Sequence, residues 1–107
     1  MKRKVFVPGQ LTWISSRVES WTSGLSPCKS GYPERVPLVR GAPATIIRRA
    51  LAKDFGVYGR HTHNGTSTAA RLAKESWLVL YNGSPVMVNE AFLCKRRYTS
   101  RKTVQKV

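Results

Sequence analysis

Two histidines separated by one residue, His61 and His63, are the first positions in this 107-residue chain whose type and spacing suggest chemistry. Alternate residues of a strand point the same way, so a His-x-His pair can present two imidazoles to one metal ion. Cys28 and Cys94 would then complete a tetrahedral zinc site. The spacing argues against this. No Cys-x-x-Cys pair exists, and His61-Thr62-His63 sits in a polar Gly/Asn/Thr stretch where histidine is usually a turn residue. The same histidines offer a general base for a metal-independent ribonuclease, with nearby arginines holding the phosphate. The five acids, Glu19, Glu34, Asp54, Glu75 and Glu90, are scattered and form no two-metal cluster, and no Gly-rich phosphate loop is present. The sequence predicts no enzyme, no metal and no cofactor.

What the composition supports is polyanion binding. Nineteen Lys and Arg against five Asp and Glu leave a net charge of +14. Such an excess repels itself in a compact monomer and is commonly neutralised by a polyanionic partner. Nucleic acid is the expected partner, with an acidic protein surface and an anionic membrane surface as lesser alternatives. Arg48, Arg49, Lys53, Arg60, Arg71 and Lys74 cluster in one stretch, and Lys95, Arg96, Arg97, Arg101 and Lys102 follow near the end. Tyr32, Tyr58, Tyr81 and Tyr98 are candidate stacking partners for unpaired bases.

The elements that must position these groups read as helix, helix, turn, helix, hairpin. Leu11, Ile14, Val18 and Trp21 recur at spacings of three and four, predicting a helix over 10–23 that ends before Gly24. Residues 24–43 carry four prolines and three glycines and read as a long wrapping loop, with a short edge strand at 35–40. Ile46, Ile47, Ala50, Leu51 and Phe55 form a stripe that predicts a second helix from Pro43 to Gly56. A third begins near Thr66, with Ala69, Leu72, Ala73 and Ser76 inward. Trp77–Tyr81 and Val86–Val88 flank Asn82-Gly83, a strong hairpin signal. Both runs are apolar throughout, so each needs cover on two sides.

This order predicts an α+β domain of winged helix-turn-helix type with three helices, a C-terminal hairpin and a basic tail. The third helix would place Thr66, Ser67, Thr68, Arg71 and Lys74 against base edges and backbone in a DNA major groove. The other cations would make phosphate contacts. The expected organisation is a single domain over 1–94 and a cationic tail over 95–107. The function expected from it is DNA binding by a small regulatory or accessory factor. An RNA-binding ribonucleoprotein component is the alternative, as is a phage- or plasmid-type modulator of a host nucleic-acid enzyme. A homodimer would also cover the apolar hairpin. MKRKVFVPGQ is too poor in apolar residues for a signal peptide, and no apolar run nears the about 20 residues of a membrane span. A cytoplasmic protein with Cys28 and Cys94 as reduced thiols is expected.

Overall fold

The computed structural model describes residues 5–97, apart from the side chain of His63. Strands dominate it. In chain order they are β1 (Leu11–Ile14), β2 (Ser23–Leu25), β3 (Arg35–Pro37), β4 (Pro43–Arg49), β5 (Thr62–His63), β6 (Thr66–Ser67), then helix α1 (Thr68–Lys74), β7 (Ser76–Tyr81), β8 (Ser84–Asn89) and β9 (Leu93–Cys94). Seven strands form one antiparallel sheet in the order β3-β2-β8-β7-β4-β1-β9, and β5 pairs with β6 in a separate ribbon. This overturns the three-helix winged-helix expectation. The seven-residue α1 is the one α-helix among the described residues, and three short 3-10 turns accompany it.

Two of the expected helices are strands, for a specific reason in each case. Around Ile46 the pairing of β4 with β7 shifts register, so that Ile46 faces Val79 but Arg48 faces Leu78. This bulge inserts one residue and flips the alternation. Ala44 and Ile46 point inward and Ile47 outward, while Arg49 comes to lie opposite Trp77. The rest of the stripe, Ala50, Leu51 and Phe55, lies beyond β4 in and around the 3-10 turn that follows. In 10–23, Thr12 and Ile14 alternate inward as a strand, two turns follow, and Trp21 ends exposed. The 10–23 stretch holds four β-branched residues that favour extension, whereas in 43–56 the helix formers Ala44, Ala50, Leu51 and Ala52 are overridden by pairing with β7. The edge strand expected within 35–40 is present as β3.

The 82–83 hairpin is as expected. Asn82 and Gly83 have φ of +51° and +80°, the paired positive values of a type I′ turn. Its two strands are covered on both sides except at the turn end of the outer face, where Leu80 and Pro85 are exposed. On the inner face Trp77, Val79, Tyr81, Val86 and Val88 join Phe6, Ile14, Leu38, Ile46 and Leu93 in one core. On the outer face Leu78 and Met87 pack with Ala50, Phe55, Ala69 and Ala73 from the 50–75 insertion. The sheet curls to enclose the first core. Only residues 38–42 link β3, at one edge, to β4, four places away in the strand order. That link also contains a turn, from Val39 to Ala42. On its way it hands the Val39 N–H to the Tyr81 hydroxyl at 2.9 Å and the Gly41 N–H to the Ile14 carbonyl at 2.8 Å. No helix among the described residues is long and apolar enough to cross a membrane.

Ile46 is 1% exposed and Leu51 42%. Ile46→Ala is therefore expected to lower the unfolding free energy by about 2–5 kcal/mol, and Leu51→Ala by less than about 1. Urea unfolding of the two variants checks this. Equal losses would mean that Leu51 is core after all.

Candidate nucleic-acid interface

The loop after β2 and the turns after β4 are laced together by backbone. The Cys28 N–H donates to the Asp54 carbonyl at 2.9 Å, Val57 N–H to the Gly31 carbonyl at 2.8 Å, and Cys28 forms an isolated bridge with Phe55. Gly56 makes the approach possible. Its φ is +55°, and a Cβ there would run into the Gly31 carbonyl. Phe55, 1% exposed, anchors the turn in the second core.

Asp54 ties the same turn to the sheet. Its carboxylate takes a bidentate pair of hydrogen bonds from Arg48, Nη1 to Oδ2 at 2.9 Å and Nη2 to Oδ1 at 3.2 Å, and a third from the Leu51 N–H at 2.9 Å. Burial by itself would raise the Asp54 pKa. The hydrogen bonds from Arg48 and Leu51 and the nearby positive charges of Arg48 and Lys53 outweigh it and hold the carboxyl below its ordinary value.

The lacing carries an outward cluster of three rings. Tyr32 and Tyr58 meet edge to face at 5.7 Å, Tyr58 and His61 at 5.7 Å, and Tyr32 and His61 at 6.3 Å. Tyr32 is 67% exposed. Next to it, Lys29 and Arg60 line a small hollow with Ser30, Gly31, Gly56 and Val57. Lys29 also lines a second hollow with Lys53, Pro27, Cys28 and Asp54. Three exposed cations thus lie side by side, and Arg48 answers the one acid lining either hollow, Asp54.

Of the residues expected to contact nucleic acid, Ser67 and Thr68 are half-buried at the start of α1, and the others divide into three sets. Arg48 and Arg49 serve the fold: Arg48 holds Asp54, while Arg49 lies 4.2 Å over the Trp77 ring and donates to the Lys74 carbonyl at 2.9 Å. Lys53, Arg60, Thr66, Arg71, Lys74, Lys95, Arg96 and Arg97 are exposed. Arg101 and Lys102 lie outside the described residues, as does Tyr98. Tyr81 is buried and bonded to Val39, so it is no stacking partner.

The recognition-helix role also needs correction. Ser67 caps α1 by accepting the Ala70 N–H at 2.9 Å, and the helix that follows is two turns long. Ala69 and Ala73 bury one face of it with Phe55 against Leu78 and Met87 of the sheet. At about 1.5 Å per residue it spans only about 10 Å. Thr66 belongs to the β5–β6 ribbon, whose turn Asn64-Gly65 has φ of +54° and +79°. This is the same Asn-Gly signal as at 82–83. Sequence reasoning passed over it because polar residues, His-Thr-His and Thr-Ser, flank it instead of an apolar run. Tyr32 and Tyr58 were candidates from the sequence, but their meeting with His61 was not legible because the three rings come from two loops that only the lacing joins.

Cys28 and Cys94 are free thiols, and the described residues contain no group of three His, Cys, Asp or Glu placed to hold a metal. The His63 side chain lies outside the described part. Comparison with known proteins finds no matching family model, no matching curated protein and no matching solved structure.

Asp54→Asn is expected to lower stability by about 1–3 kcal/mol at pH 7, because Arg48 and the Leu51 N–H lose a charged acceptor. A carboxyl whose folded pKa is depressed stabilises above its unfolded pKa and loses that contribution as pH falls through the folded value. The gap in Tm between wild type and variant should therefore be full at pH 7 and close as the pH drops below the ordinary value of 3.8. A gap unchanged down to pH 3 would overturn this role for the pair.

Proposed function

We propose that this chain binds nucleic acid through phosphate contacts from cations on its loops. The observation that carries this reading is the adjacency of Lys29, Lys53 and Arg60 around two hollows whose one lining acid is already neutralised by Arg48. An anion approaching there meets cations without competing carboxylates. Arg71 and Lys74 on α1 and Lys95, Arg96 and Arg97 after β9 extend the positive surface. These contacts position a backbone and carry no base information. The strand-rich fold removes the reason to favour a duplex major groove, and the exposed rings favour RNA or other unpaired nucleic acid. The protein would act in the cytoplasm, with Cys28 and Cys94 as thiols.

Binding should be strongly salt-dependent. With about six phosphate contacts, log K falls with log salt at a slope of about −4 to −5. Replacing Lys29, Lys53 and Arg60 together by Gln should weaken binding and make the slope shallower by about 2–3. Fluorescence anisotropy over a salt series, with duplex DNA, single-stranded DNA and structured RNA of equal length, measures both. Indifference to all three ligands would show that the positive surface serves an acidic protein instead.

A further inference from the structure

We infer that the occupant of this surface is a single strand, laid along an aromatic track that runs from Trp21 to the Tyr32–Tyr58–His61 cluster. This rests on the nucleic-acid reading above and names its substrate class.

Trp21 is 77% exposed, the most exposed of the large apolar side chains among the described residues. A turn holds it there: the Thr22 N–H donates to the Glu19 carbonyl at 3.0 Å, and the Glu19 N–H returns a bond to the Thr22 hydroxyl at 3.0 Å. Glu19 itself is drawn toward Arg40, with which it pairs at 3.8 Å. Trp21 forms one wall of a groove of about 400 Å³ shared with Leu25, Arg35, Tyr58, Leu72 and Phe92, and no acid lines it. Tyr58 belongs both to this groove and to the ring cluster, so the two are continuous. Along one path the surface offers Trp21, then Arg35, then Tyr58 with Tyr32 and His61, then Lys29 and Arg60 at the far hollow.

Alternating ring faces and cations is what a single strand requires. Its bases stack on aromatic rings regardless of sequence while its phosphates follow the positive charges. A duplex keeps its base faces stacked inside and would engage only the cations, leaving Trp21 and Tyr32 in water. The charge also decides against an apolar or basic peptide, because the groove holds Arg35 and no carboxylate to answer it. Both ring sites are held by backbone turns or lacing, so little ordering opposes binding.

The test is binding of full-length protein to a thymine or uracil single strand of about ten nucleotides, within the usual site size, against a duplex of equal length at the same salt. The single strand should bind at least about 10-fold tighter, and Trp21→Ala and Tyr32→Ala should each weaken it about 10-fold without changing the salt slope. Trp21→Phe should keep most of the affinity, and binding should quench the wild-type tryptophan emission but not that of Trp21→Phe. An equal or tighter duplex, or Trp21→Ala and Tyr32→Ala variants that bind the single strand like wild type, would overturn the track while leaving nucleic-acid binding standing. Binding to neither strand nor duplex would overturn both.

Discussion

The β7–β8 hairpin is buried on its inner face and, away from its turn, on its outer face as well, and the remaining elements are arranged to satisfy that demand. Its inner face needs a core, which β1, β4, β9 and the Phe6 segment supply by curling around it. Its outer face exposes Leu78 and Met87 to the 50–75 insertion, which brings Phe55, Ala69 and Ala73 over them. Small residues on α1 let the helix lie close, and a short helix suffices because its task is cover. A sheet clad on both sides behaves as the middle layer of a sandwich, with nearly continuous apolar strands.

That arrangement also sorts the charges. Arg48 and Arg49 follow the bulge on β4, where alternation sends one to each face, and both are engaged at the margins of the core, on Asp54 and on Trp77. Arginine suits such places because its planar head can pair bidentately or stack while its stem packs. Lysines and arginines on loops remain in water. The net charge of +14 therefore lies mainly on the periphery, where it opposes association with basic surfaces and attracts anions. The lacing of 26–34 to 50–61 keeps part of that periphery rigid, so rings from separate loops form one cluster.

Much of this order is invisible along the chain. The Asn82-Gly83 hairpin, the short β3 edge, and the start of α1 with its inward alanines were legible, because each depends on local turn or capping chemistry. The apolar runs of β7 and β8 likewise announced that both faces needed partners. The identity of those partners was not legible. The stripe from Ile46 to Phe55 matched a helix although its buried members, Ile46, Ala50 and Phe55, come from a bulged strand and the turn after it, and nothing in residue types alone marks where the strand ends. The stripe from Leu11 to Trp21 matched in a similar way: a strand and two turns happened to space four apolar residues as a helix would. Among the candidate binding residues, charge alone singled out Lys53 and Arg60, which are exposed, together with Arg48 and Arg49, whose intramolecular partners, Asp54 in the turn after β4 and Trp77 on β7, were not legible.

By itself the sequence determined the net charge of +14 and the central hairpin with its turn. These follow from composition and from interactions within a few residues. Tertiary structure decided whether an apolar stripe became helix or strand, which arginines stayed free, and which rings met. Those outcomes depend on pairing between residues 20 to 40 positions apart, as when Arg49 meets Trp77 or Tyr32 meets Tyr58. Strand pairing draws its energy from such non-local contacts, and local propensity yields to them whenever two faces of a strand can be buried at once.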